Sequence, residues 1–415
     1  MTGAFWSLFG TAIGKFFILL SGIFCARILG DALYGELGIV RSTIAMFIVV
    51  GSAGIGVTAS KYISEYRAQN KNREIASIIS LTRLFSIVFG IVIVLIIFLF
   101  SKSIASDTLK APELEFDLKC GAILLFFSVF NAYQNGVLSG FENFKAIGLN
   151  TLYAGILEFC LIVLGAYYAQ VSGAIIGYGV SFIILSILNS ISINHTLKKN
   201  SILLKGVKFL SEHKLIIIKF AIPAAFNSLI VTATFWILKT MLVRMTDFAQ
   251  LGIYEAADQW KVIMLYIPTA LSTILLPILS NSHGKGKSTK KLLKYNIIIN
   301  MIISTGITIV VVCFSKLIMS LYGPEFEEPL PLVILAFSTI FTTLALVTTT
   351  ALTSIAKMWL SFIFQILWSV SMIISAYGFL CLDFGASGIA FAILIAYIIL
   401  SFAQTVYYFT YVTKF

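Results

Sequence analysis

The sequence predicts an all-α integral membrane protein of about twelve transmembrane helices, arranged as two six-helix bundles related by a parallel pseudo-two-fold repeat. Three observations carry this. Apolar runs of about 20 residues, the length a helix needs to cross ~30 Å of hydrocarbon, recur from end to end. Only 11% of the 415 residues are charged and 59% are hydrophobic, whereas a soluble domain carries roughly a quarter charged residues. Finally, stretches of the second half align in order on stretches of the first.

The runs place spans at roughly 6–28, 37–60, 76–100, 118–139, 147–169, 172–193, 215–240, 252–280, 294–321, 330–355, 358–381 and 385–409. The longest polar gap, about 194–214, follows the sixth and divides the chain into an N-terminal bundle with its basic linker (1–200) and a C-terminal bundle (201–415). The opening "MTGAFWSLFG" lacks a basic n-region, so no cleaved signal peptide is expected and the first span stays.

Orientation follows from Lys and Arg, which are enriched in cytoplasmic loops near span ends. With the N-terminus inside, the cytoplasmic loops receive Lys61, Arg67, Lys71, Arg73, Lys145, Lys198, Lys199, Lys285, Lys290 and Lys357 among others. The outer loops "SDTLKAPELEFD" and "GPEFEEP" lean acidic, which places both termini in the cytoplasm.

A shift of 217 sets "CARILGDALYGEL" (Cys25 to Leu37) on "LVRMTDFAQLGIY" (Leu242 to Tyr254), pairing Arg27 with Arg244 and Gly35 with Gly252. At nearly the same offset "LSGF" (Leu138 to Phe141) meets "LTSI" (Leu352 to Ile355), and "VSGAI" (Val171 to Ile175) meets "ASGIA" (Ala386 to Ala390). Six spans per half keep both halves in one orientation, as expected of a transporter built by duplication.

The net charge of +11 is spread over gaps between apolar runs and does not concentrate on a soluble face, so no nucleic-acid partner is expected. Cys25, Cys120, Cys160, Cys313 and Cys381 lie singly in or beside spans, without CxxC pairs, and read as small core residues rather than a disulfide framework or metal site. "SHGKGKSTKK" (Ser282 to Lys291) imitates a phosphate-binding loop, but Asn281 stands where the first glycine is needed, so a basic cytoplasmic loop is expected. His195, His213 and His283 lie in loops, with no catalytic constellation.

The pattern "LFGTAIGKFFILLSGIFCARILGDALYGELGIV", with "QLGIYEAADQW" and "IPTALSTILLPILS" in the second half, resembles the multidrug/oligosaccharidyl-lipid/polysaccharide (MOP) exporter superfamily, and within it the bacterial polysaccharide transporters that include the O-antigen flippases. The resemblance implies a MATE-like pair of bundles around a cavity open alternately to each side, in the bacterial cytoplasmic (inner) membrane. It implies a non-enzymatic function, moving undecaprenyl-diphosphate-linked oligosaccharide to the outer leaflet for O-antigen or related surface polysaccharide, alongside other polysaccharide assembly proteins. No cofactor is expected beyond possible H+ or Na+ coupling. Two alternatives stand beside it: a MATE-type multidrug/cation antiporter, expected to have an acidic cavity, and a membrane polysaccharide polymerase or ligase, expected to have a large outer loop that is missing here.

Charges inside spans are the candidate site, because each costs ~2.5–3.5 kcal/mol at a helix centre unless it faces protein or water. Glu255, Asp258 and Lys261 fall at successive 60° steps on one side of the eighth span and read as a cavity wall; the bland alternative is that Asp258 and Lys261 neutralise each other at i,i+3. Lys15 stands about nine residues, ~13 Å, into the first span, amid Gly10, Gly14, Ser21 and Gly22. With Arg41 and Lys261 it is the expected cationic patch for a diphosphate; its alternative role is to partner Glu158. Glu158, near the centre of the fifth span, reads as a coupling carboxylate or a structural partner. Lys219, Lys239 and Arg83 are expected to snorkel from span ends. Pro223, Pro268 and Pro277 each remove a backbone hydrogen bond and mark candidate hinges. Trp236, Trp260, Trp359 and Trp368 read as interfacial anchors or sugar-stacking surfaces.

Overall fold

The computed structural model describes residues 2–52, 54–204, 229–272, 275, 290–354 and 358–412. Pro223, Pro277, Lys219 and the glycine-rich basic loop of Ser282 to Lys291 up to 289 lie outside them. The described chain is helical: α1 (Thr2–Ser52), α2 (Ile55–Ala68), α3 (Asn72–Ser103), α4 (Glu115–Gly140), α5 (Phe144–Lys199), α6 (229–245), α7 (Phe248–Met264), α8 (266–272), α9 (Lys290–Cys313), α10 (Ser315–Ser320), α11 (Leu330–Ser354), α12 (Met358–Cys381) and α13 (Gly385–Tyr407).

Among the described residues eight helices are long and apolar enough to cross a membrane. Two of them are double. Helix α1 breaks at Gly30, whose φ of 76° needs no Cβ, and α5 breaks at Ala169 and Gln170. Divided there, and with α6 and the α7–α8 pair added, the helices follow the twelve predicted spans in order. The second span differs most from expectation. It begins at the Gly30 break, well before 37, and α2 carries it past a turn at Gly54 to Ala68. Helices α5 and α7 open on capping side chains, Asn143 accepting from the Ala146 N–H and Asp247 from that of Gln250.

The chain forms two compact units. The first is Met1–Leu29 with Glu36–Trp236; the second is Gly30–Gly35 with Ile237–Phe415. This contact division falls inside α6, beyond the polar gap at 194–214, and assigns the α1 break to the second unit.

In the first unit, Ile55, Ala59 and Ile63 recur at four-residue spacing and line one face of α2. They pack on Ile75, Ile78 and Ile79 of α3, Tyr133 and Val137 of α4, and Ile193 and Leu197 of α5. The two parts of α5 approach so closely that a Cβ on Gly165 would overlap the Gly173 backbone, and the reverse. In the second unit, Leu275, Leu293, Val347, Ala351, Leu352 and Tyr408 form a core cluster. The opposite helix faces carry large bare apolar side chains, such as Leu99 at 77% and Phe402 at 71% exposure. Apolar surface on this scale, unsuited to water, is the lipid-facing side of a membrane protein.

The repeat appears in the backbone. Gln170 (φ 49°) and Gly385 (φ 51°) stand 215 residues apart, each directly before the repeated Ser-Gly motif. Short 3-10 turns, Pro112–Leu114 and Pro324–Phe326, precede α4 and α11.

Three expectations are corrected. Among the cysteines only Cys25 is buried; Cys160, Cys313 and Cys381 are exposed, because their helix positions face outward. Trp368 is fully buried against Tyr397, ring centroids 5.5 Å apart, and is no interfacial anchor. Lys239 does not snorkel: its ammonium meets the Glu255 carboxylate at 2.7 Å, both side chains largely buried.

Candidate functional site

The first unit holds one group of charges. Helices α1 and α5 meet on small residues: a Cβ on Gly10 would lie 2.6 Å from the Gly148 carbonyl, and one on Gly155 3.3 Å from Gly14 Cα. This close approach sets Lys15 and Glu158 on one cavity of about 240 Å³, also lined by Gly14, Thr151, Gly155 and Ser181. Arg41, on α1 beyond its break, faces Glu158, and its guanidinium sits 4.6 Å from the Tyr178 ring centroid. Tyr178 and the Ser181 hydroxyl, one turn apart on α5, complete the surroundings of Glu158. A guanidinium over an aromatic face is held by the ring quadrupole as well as by its carboxylate.

The second unit holds the other group, and there charges occur in pairs. Lys239 of α6 bridges Glu255 of α7, with the Tyr254 ring 5.9 Å from its ammonium. Asp258 meets Lys261 at 3.7 Å, the i,i+3 pairing. Lys261 is only 4% exposed and lies 5.6 Å from the ring centroid of Tyr397 on α13. The stripe of Glu255, Asp258 and Lys261 thus faces protein, and each member has an opposite charge in its own unit.

Of the predicted residues, Lys15, Arg41 and Glu158 converge in the first unit, and Glu255, Asp258 and Lys261 lie in the second. Pro268 stands in α8, just after the helix interruption at Leu265. Lacking an N–H, it leaves the Met264 carbonyl without its helical donor, which accounts for the break. Trp236 donates to the Thr43 hydroxyl at 2.9 Å. Among the described residues no three His, Cys, Asp or Glu side chains converge as a metal site requires.

One feature escaped sequence reasoning. Asn131 donates to the Phe182 carbonyl, Gln134 to the Ser186 carbonyl and Ser190 hydroxyl, Asn150 to Asn189 and Ser192, and Asn189 to Asn135. These carboxamides tie α4 to both parts of α5. The signal was present: Asn and Gln inside apolar spans seek one another or a backbone carbonyl, because lipid offers no partner.

A family model described as polysaccharide biosynthesis protein matches residues 1–283. The EPS I polysaccharide export inner membrane proteins EpsE of Ralstonia nicotianae and Ralstonia solanacearum are each 25% identical to the chain, over 194 and 195 residues. Those alignments cover 45% of this chain and 44% of theirs, so the chain matches less than half the length of these curated relatives. A multidrug resistance MATE family transporter of the MOP superfamily, solved facing inward, superposes with a TM-score of 0.78 at 16% identity over 95% of this chain and 93% of its own. A MOP superfamily transporter from Pyrococcus furiosus superposes with a TM-score of 0.74 at 16% identity, over 97% and 93%. The fold is therefore that of the MATE transporters, with the long apolar helices of a multi-pass membrane protein. The chain belongs to the polysaccharide biosynthesis protein family.

Proposed function

We propose that the protein carries an oligosaccharide repeat unit, linked to undecaprenyl diphosphate, from the cytoplasmic to the outer leaflet by alternating access. The observation that supports this reading is the charge balance around the first-unit cavity, where two cations, Lys15 and Arg41, accompany one carboxylate, Glu158. A surplus cation in a low-dielectric site favours an anionic headgroup. A carrier of organic cations would need the opposite sign. The polyprenyl tail stays in lipid while the sugar crosses. In the second unit Lys261 is balanced by Asp258 and adds no surplus charge. Both termini lie in the cytoplasm, Pro268 is one hinge of the cycle, and Glu158 is the carboxylate that couples it to H+ or Na+. The export names of the EpsE relatives favour a polysaccharide cargo over chemistry on the polymer.

The test is a deletion strain of the host, restored with wild-type or Lys15→Ala copies. Undecaprenyl-diphosphate oligosaccharide is assayed in lipid extracts beside surface polysaccharide. Accumulated intermediate and lost surface polymer, cured only by wild type, are expected. Normal polymer without accumulated intermediate would overturn the proposal and favour a multidrug antiporter.

A further inference from the structure

The groups that face Glu158 come from three stretches of the first unit. Lys15 of proximal α1 shares its cavity, Arg41 of distal α1 stands opposite, and Tyr178 and Ser181 approach from the second part of α5. Glu158 is thus the carboxylate that balances the cations to which a headgroup would be drawn. A ligand anion and an ionised Glu158 compete for the same positive charge, and in a cavity walled by small and apolar residues their mutual repulsion is less screened than in bulk water.

We propose that an anionic headgroup binds this cavity together with a proton. As the ligand oxygens take up Arg41 and Lys15, Glu158 loses its counter-charge and accepts one proton from solvent, becoming a neutral carboxylic acid. It then stays as a hydrogen-bonding neighbour of Ser181. No bond of the cargo is made or broken. The charge brought by the ligand is offset in part by the proton, and release of the headgroup returns both. The inference rests on the diphosphate reading of the proposed function and adds its linkage: anion and proton enter and leave as companions at one site, where a cation exchanger would have them replace each other.

Farnesyl diphosphate is the probe, titrated calorimetrically into the purified full chain in nanodiscs. Pairs of buffers differing in ionisation enthalpy give the protons taken up per probe bound. Wild type is expected to take up close to one proton more than Glu158→Gln at pH 8, since the probe's own titration is common to both. Glu158→Gln is expected to bind about tenfold more tightly at that pH, and Lys15→Met at least tenfold more weakly. Glu158→Asp keeps a titrating group and should restore the extra proton. Equal proton counts in wild type and Glu158→Gln would overturn the linkage while leaving the flippase reading standing. Failure of wild type to bind the probe would overturn both.

Discussion

Gly35 and Gly252, 217 residues apart, cross reciprocally within the second unit. A Cβ on Gly35 would overlap the Phe248 carbonyl oxygen, and a Cβ on Gly252 would overlap that of Asp31. Phe248 stands 217 residues beyond Asp31, just as Gly252 stands 217 beyond Gly35. Each repeat copy therefore presents the same contact to the other, as two-fold related surfaces do. Tyr34, beside this crossing, packs on Tyr322 and Phe326 with ring centroids 6.5 and 6.1 Å away. The Glu325 carboxylate accepts from the Asp31 N–H at 3.0 Å and thereby satisfies the backbone at the Gly30 break.

Substituting Gly35 or Gly252 by Ala should cost about 1–3 kcal/mol each, because a backbone carbonyl cannot step aside as a flexible side chain would. The two act on one crossing, so the double variant should lose less than the sum of the singles. Thermal unfolding of the detergent-solubilised protein reads this directly. Additive losses would show that the two positions do not share a contact.

Lys239 and Glu255 form a buried ion pair, and truncating one partner leaves the other's charge buried. Lys239→Met or Glu255→Gln alone should destabilise by about 3–5 kcal/mol, whereas the double variant should recover most of that loss. The same unfolding measurement checks it; a double variant as unstable as the worse single would mean that packing, not charge, sets the cost.

Asn189 both donates to Asn135 and accepts from Asn150. Asn189→Leu should cost about 1–2 kcal/mol, since hydrogen bonds between membrane helices are worth roughly 0.6 to 2 kcal/mol each. Asn150→Leu should then cost less in that background than in wild type. Independent effects would show that the ladder is not a connected network.

Arg67 and Glu142 join at 3.2 Å and hold the α2–α3 and α4–α5 turns at one end of the first unit. In a cysteine-free background, Cys at Asn70 or Asn143 should react with a membrane-impermeant maleimide only after the cells are opened, and Cys at Lys110 without opening. The reverse pattern would invert the assigned orientation.

The membrane class, the span order and the duplicated halves were legible in the sequence, because desolvating a polar backbone in lipid forces long apolar helices and because Arg27, Gly35 and the Ser-Gly motif recur at a near-constant offset. The charges at 15, 158, 255, 258 and 261 were legible as well, since an ionisable residue inside a span is costly enough to need a reason. Of their partners only the i,i+3 pair of Asp258 and Lys261 was. Lys239 read as a snorkelling side chain until α6 and α7 brought it to Glu255, and Tyr178 carried no signal until Arg41 lay across it. Chain periodicity gives the face of a helix a residue occupies, but the rotation and depth of that helix come from packing among residues distant in sequence. Gly10 with Gly148, Gly165 with Gly173 and Gly35 with Gly252 set those distances, and through such packing tertiary structure decided that Lys239 meets Glu255 and that Lys15 shares a cavity with Glu158.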